Sequence, residues 1–246
     1  GTYLKRDEII KLLKTIPKHI VLVIDGAYAE YVLEDDFDKS FSLSDEFENI
    51  IFTRTFSKCY GLAGLRMGWC YSSKRISSIL NQVKGPFNTT NFSQSIAIAA
   101  LKDQEHISKV VKKNIEVKNW FEKELSKLSI KTIKSVANFS FLEMSIDKAN
   151  KIANHLMLDR IIVRQLQSYN LPHCLRITIG TEEEMKLTID SLKNNKGSII
   201  LFSTVAAQRG FANHSIIAST KAAIEGLAVS LAAEFAPNIR VNCIAP

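Results

Sequence analysis

Cysteine is scarce in this 246-residue chain, and long apolar runs are missing from it. The four cysteines (Cys59, Cys70, Cys174 and Cys243) lie far apart and form no CxxC pair, which excludes zinc-site spacing and a disulfide framework. We therefore expect no metal site, and reduced, packed thiols in a cytoplasmic protein. No apolar run approaches the roughly 20 residues that span a bilayer. No signal peptide opens the sequence, so we predict no membrane partner.

Negative charge is in the minority. Lysine and arginine number 32 against 25 aspartates and glutamates, which gives a net charge of +7. The basic residues are scattered along amphipathic stretches and form no basic run with interleaved aromatic residues, so we predict no nucleic-acid partner. The excess favours small anionic substrates, although solvated helix faces would produce the same count.

Helix and strand patterns alternate in the first third of the chain. Apolar residues at helical spacing predict a helix over residues 7–16. The continuous apolar run 19–25 predicts a buried parallel strand whose carboxyl end carries function. Residues 49–54 and 67–73 are predicted as two further buried strands, with a loop and a short helix over 34–48. This alternation predicts an α/β fold.

The remaining patterns predict two further parts of the chain. A long helical pattern covers 92–128. Strand and helix patterns then follow in an arrangement typical of a smaller α+β domain: strands near 139–145, 161–163 and 174–180, and helices near 148–158 and 182–193. We predict a large domain over 1–128 and the smaller one over 129–195. Thr181, ahead of three glutamates, is predicted to cap the last of these helices.

The composition changes abruptly near residue 196. Lysine is frequent before that point, whereas only Lys221 occurs from Gly197 to the end and alanine becomes the commonest residue. A buried strand (GSIILFS), an alanine-rich helix (STKAAIEGLAVSLAAEF) and a second strand (IRVNCIAP) are predicted there. We place a domain boundary near Lys196 and predict a partial Rossmann-type α/β segment over 196–246.

The stretch TFSKCYGLAGLRMGW (residues 55–69) has the residue types of a phosphate site. Thr55 and Ser57 offer hydroxyl groups, and the glycines let the backbone approach a ligand. Arg66 can bind a phosphate through its guanidinium. Lys58 adds an amine, although most lysines are simply solvated.

Two residues upstream complete the pattern. Asp25 ends a predicted strand, where its carboxylate could pair with a protonated ring nitrogen, or could merely cap a helix. Tyr28 could hold a ring oxygen. A lysine amine, a ring-nitrogen acid and a phosphate site together indicate pyridoxal phosphate as the cofactor.

The sequence resembles the histidinol-phosphate aminotransferase family. The segments DGAYAEYV, RTFSKCYGLAGLRMGW, GPFNTT, SVANF and RQLQSYNLPHCLRITIGTEEE occur in the family's order and span about residues 1–194. The resemblance implies a class I/II aminotransferase with the fold-type-I architecture of pyridoxal-phosphate enzymes: a partial large domain and a small α+β domain. It also implies reversible amino transfer between histidinol phosphate and 2-oxoglutarate in histidine biosynthesis, and a homodimer. Aromatic aminotransferases share the same lysine and arginine pattern.

The resemblance assigns the cofactor-binding residues. It implies that Lys58 forms the Schiff base and moves the proton between the substrate's α-carbon and the cofactor. Asp25 would keep the pyridine nitrogen protonated and Tyr28 would hydrogen-bond the ring oxygen. The residues implied to hold the phosphate are Thr55, Ser57 and Arg66.

Further residues are assigned to the substrate. Arg176 matches the family's substrate-carboxylate arginine, although a surface strand arginine is the alternative, and Arg164 lies where a second anion-binding arginine is expected. Phe87 matches a pocket-lining position that often carries tyrosine. Gly26 departs from the family's usual glutamate, and Arg54 is interpreted as structural.

The beginning of the sequence resembles the middle of the family's large domain. GTYLKRDEI matches the end of the family's NPTGTYL pattern. We expect the asparagine that assists the ring oxygen, the N-terminal arm, the glycine-rich phosphate loop and the ring-stacking aromatic residue to lie outside this chain. We also expect an exposed sheet edge and a severely weakened affinity for the cofactor.

Residues 197–246 resemble the catalytic half of short-chain dehydrogenases/reductases, chiefly in KAAIEGL and RVNCIAP. The resemblance implies a serine, tyrosine and lysine set, in which Lys221 matches the lysine. Ile217 and Thr204 stand at the tyrosine and serine positions, and His214 or Ser215 is the alternative source of a polar group. No GxGxxG loop occurs in the chain, so we predict no nicotinamide cofactor and favour a packing appendage.

Three interpretations of the whole chain follow. The first, which we adopt, is an aminotransferase-type enzyme joined to a dehydrogenase-type segment. The second is a short-chain-dehydrogenase-like protein with a degenerate site. The third is an inactive product of fusion or misassembly in which neither site is complete.

Overall fold

A computed structural model of the chain describes residues 1–193, 197–236 and 239–245. The helices are α1 (Arg6–Thr15), α2 (Leu43–Glu46), α3 (Lys74–Val83), α4 (Asn91–Lys102), α5 (Gln104–Lys127), α6 (Ile146–Leu158), α7 (Glu182–Lys193), α8 (Ala206–Arg209) and α9 (Ser215–Phe235). The strands are β1 (Leu22–Asp25), β2 (Ile50–Thr55), β3 (Gly68–Ser72), β4 (Lys131–Ile133), β5 (Phe139–Glu143), β6 (Arg164–Gln165), β7 (Cys174–Thr178), β8 (Gly197–Phe202) and β9 (Ile239–Ile244). Two compact units result, Gly1–Ile189 and Asp190–Pro246.

The first sheet has the strand order β1-β2-β3. β1 runs parallel to β2 with Asp25 opposite Thr53, and β3 runs antiparallel to β2 with Gly68 opposite Thr55. The buried core on this sheet combines α1 with β2: Ile9 and Leu13 pack with Leu43, Ile50 and Phe52. Since burying one such side chain contributes roughly 1.5–3 kcal/mol, this cluster fixes the sheet that carries the candidate site.

The outer strands of this sheet are more exposed than their apolar sequences predict. Residues in β1 alternate between half-buried and exposed, and Val23 is 54% exposed. β3 is also largely exposed and is antiparallel. The prediction of buried strands over 19–25 and 67–73 is therefore wrong as to burial, because among the described residues both strands pair on one side only.

The long helical pattern over 92–128 forms two helices. α4 ends at Lys102, and Asp103 begins α5 by accepting a hydrogen bond from the backbone N–H of His106. An aspartate is a good N-cap, so it divides a pattern whose apolar period continues across it. The helix α3 follows Ser73, whose side chain caps it in the same way.

The second sheet has the order β4-β5-β7-β6, all antiparallel. Leu142 and Leu175 are fully buried within it, and α5, which contacts β4 and β5, contributes the fully buried Phe121 and Leu125. Residues 161–163 lie just before β6 and outside any strand. The predicted cap on α7 is confirmed, since Thr181 accepts the N–H of Glu184 and donates its own N–H to the Glu184 carboxylate.

Both sheets belong to the unit Gly1–Ile189. The separation of 1–128 from 129–195 as domains stays a prediction. The second unit begins at Asp190, inside α7. The boundary predicted near Lys196 lies outside the described residues.

The second unit contains a βαβ arrangement. β8 and β9 pair in parallel and α9 lies between them in sequence, as in one repeat of a Rossmann-type sheet. By length and composition alone α9 could cross a membrane, with a mean hydropathy of 1.4 over its apolar window. Two of its charged residues are bound within the unit: Lys221 donates to the carbonyl of Phe202, and Glu225 accepts from the Ser203 hydroxyl. The helix therefore supports a membrane span only weakly.

Candidate active site

The ends of β1 and β2 place Asp25 beside Thr53. Asp25 Oδ1 accepts the backbone N–H of Ala27 at 3.0 Å and the Thr53 hydroxyl at 3.5 Å. The carboxyl group itself is exposed at the carboxyl end of the parallel pair, where ligands of α/β sheets bind. Its orientation is thus fixed by local hydrogen bonds that leave it open to a ligand.

Tyr28 brings Lys58 into the same region. The Nζ of Lys58 lies 5.4 Å from the centroid of the Tyr28 ring, within the range of a cation–π contact. Lys58 follows β2 by three residues and is exposed. In the part of the chain that the structure describes, its ammonium forms no ion pair, so the amine is available for a ligand.

The turn after β2 presents the two predicted hydroxyl groups. Thr55 Oγ1 accepts the N–H of Ser57 at 3.1 Å, which closes a tight turn directly ahead of Lys58. The turn continues through Gly61, whose N–H donates to the Lys58 carbonyl and whose φ of +69° suits glycine. The backbone around Lys58 is therefore ordered by its own hydrogen bonds.

Arg66 approaches this turn along the sheet. It lies two residues before Gly68, which pairs with Thr55 in the ladder between β2 and β3. Its backbone is left-handed, with φ 50°, and its Nη1 donates to the Ala63 carbonyl at 3.0 Å. The side chain is exposed and must leave this carbonyl to bind a phosphate fully.

A chain of rings connects Tyr28 with Arg176 on the second sheet. The edge-to-face pair of Tyr28 and Phe139 has ring centroids 5.5 Å apart, and the Arg176 guanidinium carbon lies 5.1 Å from the Phe139 centroid. Lys58 therefore stands at one end of this ring series, which comprises Lys58, Tyr28, Phe139 and Arg176, and Arg176 stands at the other. The Nε of Arg176 is buried and has no hydrogen-bond partner among the described residues.

The two predicted substrate arginines lie together. Arg164 of β6 pairs directly with Arg176 of β7, so both side chains leave the same face of the sheet. Both line a cavity of about 720 Å³. A second cavity of about 230 Å³ is lined by Asp25 and Tyr28.

Phe87 is not brought to this group. Its side chain is 99% exposed, and its backbone is left-handed with φ 54°, which is uncommon for a bulky residue. Its pocket-lining role stays a prediction.

Ionisable groups behind Lys58 are buried. Burial raises the pKa of the Cys59 thiol to about 11, so this cysteine stays protonated and is no nucleophile at neutral pH. Burial also raises the pKa of the Glu30 carboxyl, and that of Tyr31 well above its usual range. Lys58 is thus an exposed amine beside buried or half-buried groups whose pKa values are raised.

The dehydrogenase-type residues of the second unit are engaged locally. Lys221 Nζ donates to the Phe202 carbonyl at 2.8 Å, and Thr204 accepts the Ala206 N–H. His214 Nδ1 lies 2.8 Å from the Ala212 carbonyl oxygen, and Ile217 offers no polar atom. These contacts stabilise the unit without assembling an acid/base group.

Comparison with known proteins decides the family. A model described as aminotransferase class I and II matches residues 1–192. The chain belongs to the class I and II aminotransferases. A second family model, described as enoyl-(acyl carrier protein) reductase, matches residues 179–246.

Individual aminotransferases agree with this membership. A histidinol-phosphate aminotransferase of Rhodopseudomonas palustris is 37% identical over 195 residues, covering 78% of this chain and 53% of the relative. One from Cereibacter sphaeroides is 40% identical over 183 residues, which cover 74% of this chain and 50% of the relative. The chain spans about half the length of the curated relatives it matches.

A solved aminotransferase confirms the fold class. The crystal structure of histidinol-phosphate aminotransferase from Sinorhizobium meliloti, in complex with pyridoxal-5'-phosphate, superposes with a TM-score of 0.72 at 28% identity. The superposition covers 78% of this chain and 53% of the S. meliloti chain. The predicted fold-type-I architecture is therefore confirmed over the aminotransferase portion.

Sequence reasoning assigned no role to two residues that the structure places beside the predicted site residues. Phe139 lies in the SVANF segment, but its contacts depend on how the second sheet packs against Tyr28. Thr53 precedes the RTFSK segment, and its contact with Asp25 depends on the strand register. A cross-strand alignment of β1 with β2 is the signal that could have found Thr53.

Proposed function

We propose that this protein is a pyridoxal-phosphate-dependent aminotransferase that exchanges an amino group between histidinol phosphate and 2-oxoglutarate. The ring series from Lys58 to Arg176 carries the proposal, because its contacts connect an exposed amine with a guanidinium that can bind an anion. The histidinol-phosphate aminotransferases among the relatives support the choice of substrate.

The chemistry of the donor set fits pyridoxal phosphate. Asp25 offers a carboxylate at a strand end, Tyr28 a phenol, and Lys58 an amine without an ion pair among the described residues. Thr55 and Ser57 offer hydroxyl groups in one tight turn. Each of these side chains is exposed or half-buried, so no bulky neighbour would have to move before they could contact the cofactor.

Each cofactor-binding residue has a separate task in this proposal. Asp25 would accept a hydrogen bond from the protonated ring nitrogen, and Tyr28 would donate one to the ring oxygen. Thr55, Ser57 and Arg66 would hold the phosphate group, with Arg66 turning from the Ala63 carbonyl. Pyridoxal phosphate, when bound, supplies an electron sink for the bonds at the substrate's α-carbon.

Lys58 would hold the cofactor through its amine and move a proton between the substrate's α-carbon and the cofactor's C4′. The Tyr28 ring beneath the ammonium restricts where the amine can point. The restriction favours one face of the cofactor for the proton transfer.

Arg176 and Arg164 would bind the anionic groups of the substrates. Their paired position on one sheet face suits a phosphate ester in one half-reaction and a dicarboxylate in the other. The buried Nε–H of Arg176 has no hydrogen-bond partner among the described residues, so it could donate a hydrogen bond to a substrate carboxylate. Phe87 is retained as a proposed lining residue that would have to move inward.

We also propose that the protein acts in the cytoplasm and as a homodimer, with small anionic metabolites as its partners. Substrates of this class agree with the net charge of +7. A dehydrogenase function for the second unit is not favoured, because Lys221 is tied to a carbonyl and Ile217 cannot transfer a proton.

Cofactor titration tests the proposal. Adding pyridoxal phosphate to the purified chain should produce a visible absorbance band that is lost in Lys58→Ala. Lys112→Ala, which removes an exposed lysine on α5, should keep the band. Amino transfer from histidinol phosphate to 2-oxoglutarate should follow the same pattern, and transfer from aromatic amino acids should be slower. An identical band in Lys58→Ala would refute the assignment of the amine.

A further inference from the structure

Arg54 is a buried arginine at the end of β2. It is 7% exposed, and its Nη1 donates a hydrogen bond of 2.9 Å to the carbonyl oxygen of Thr53. The same oxygen accepts the backbone N–H of Gly26 at 3.1 Å. Arg54 therefore holds the carbonyl that anchors the residue directly after Asp25.

The guanidinium of Arg54 occupies the space of a side chain at position 26. A Cβ there would overlap Nη1 of Arg54 and would lie 2.7 Å from its Cζ. Because atoms cannot approach so closely, glycine is the residue that permits this placement of the guanidinium. Position 26, where the family usually has glutamate, is thus a glycine in a chain whose Arg54 guanidinium fills the space of a side chain there.

The buried charge of Arg54 has no close ion pair. Its guanidinium carbon lies 4.7 Å from the centroid of the Phe41 ring. Among the described residues no carboxylate lies within 4.0 Å of it, and Glu30, Asp38 and Asp25 act on it from farther away. A buried cation without an ion pair costs folding free energy, so stability alone does not account for it.

We propose that Arg54 is a positioning residue for the Asp25 carboxylate and that Gly26 leaves the space that the Arg54 guanidinium occupies. The inference rests on the proposed function, which makes Asp25 the partner of the cofactor's ring nitrogen. Asp25 Oδ1 is oriented by the Ala27 N–H and the Thr53 hydroxyl, and Arg54 fixes the peptide groups next to both. Arg54 acts through these neighbours and touches no reacting atom.

Amide hydrogen exchange on the cofactor-free chain tests the positioning directly. Arg54→Gln should accelerate exchange at Gly26 and Ala27 by roughly tenfold, the size expected for losing one hydrogen bond from a charged group. Arg75→Gln, which removes an exposed arginine on α3, should leave both amides unchanged. Unchanged exchange at both amides in Arg54→Gln would overturn the proposal.

Variants at both positions separate positioning from general stability. Arg54→Gln should weaken pyridoxal-phosphate affinity by about tenfold, the lower end of the effect that groups orienting metal ligands have on metal affinity. Arg54→Lys keeps a charge and a donor, so it should restore part of this affinity and serves as the folded alternative if Arg54→Gln is unstable. Equal affinities for Arg54→Gln, Arg54→Lys and the unsubstituted chain would contradict the proposal.

A double-mutant cycle tests the role of Gly26. Gly26→Ala should weaken cofactor affinity in the unsubstituted chain, because the added Cβ displaces the guanidinium. In the Arg54→Gln background Gly26→Ala should lower cofactor affinity by a smaller factor. The effect that remains there comes from the close contact of the added Cβ with the Thr53 carbonyl oxygen, 2.7 Å away. Equal losses in both backgrounds would show that Gly26 does not act through Arg54.

The two hypotheses can fail separately. If the unsubstituted chain does not bind pyridoxal phosphate while exchange at Ala27 still depends on Arg54, the proposed function fails and the positioning role stands. If the cofactor binds but neither exchange nor affinity depends on Arg54, only the positioning role fails.

Discussion

Replacing Phe139 with leucine should disconnect Arg176 from Tyr28. The ring lies between them, 5.5 Å from the Tyr28 centroid and 5.1 Å from the guanidinium carbon of Arg176. An edge-to-face pair contributes about 0.5–1.5 kcal/mol and a cation–π contact about 0.5–1 kcal/mol. Phe139 is 7% exposed, so the lost volume adds about 1 kcal/mol. We expect Phe139→Leu to lower the free energy of unfolding by about 2–3 kcal/mol.

Urea unfolding followed by tryptophan fluorescence measures this loss. Both tryptophans, Trp69 and Trp120, lie in the unit Gly1–Ile189, so the signal reports the unit that contains Phe139. Phe121→Leu, on α5 of the same unit, is the matched control. Its side chain is fully buried, so a similar volume is lost, and among the described residues its ring has no contact with another ring or with a cation. We expect the control to lose less than half as much.

The functional effect of Phe139→Leu should fall on substrate binding. Arg176 would lose the ring that holds its guanidinium, so KM for the anionic substrates should rise more than kcat falls. A double-mutant cycle with Tyr28→Leu should give a coupling free energy near 1 kcal/mol. Zero coupling, together with equal losses for Phe139→Leu and Phe121→Leu, would refute the role of the ring series.

Two further predictions concern stability. Burial raises the pKa of Glu30 above its ordinary 4.5, so the folded chain keeps this proton to higher pH than the unfolded chain and stability falls as pH rises from 4.5 through the folded pKa. Glu30→Gln should flatten that fall in urea titrations at a series of pH values; an unchanged slope would contradict the burial argument. Thr181→Ala removes the cap of α7 and should cost about 1 kcal/mol in the same assay, whereas Thr15→Ala, at an exposed helix end, should cost less. Equal costs would contradict a capping role.

The elements near the site were predictable because their signals are local. The apolar run before Asp25 and the run over 49–54 predict β1 and β2 within a few residues. The cap at Thr181 follows from a hydroxyl residue three positions before a glutamate. The residue types around Lys58 are equally local, and they suffice to indicate the cofactor.

What the sequence could not predict depends on distant contacts. An apolar run indicates burial, yet Val23 is half exposed because burial depends on what covers the strand. Asp103 ends one helix and begins another inside a continuous apolar period. The contact of Phe139 with Tyr28 joins residues more than a hundred positions apart, and no local pattern specifies it.

Phe139 carries no ionisable or nucleophilic atom, yet its ring supports the groups at both ends of the candidate site. A genetic screen for lost enzyme function should therefore recover substitutions at this hydrocarbon side chain alongside those at Lys58 and Arg176. Among natural variants, an aliphatic residue at position 139 would be expected to accompany a compensating change at Tyr28.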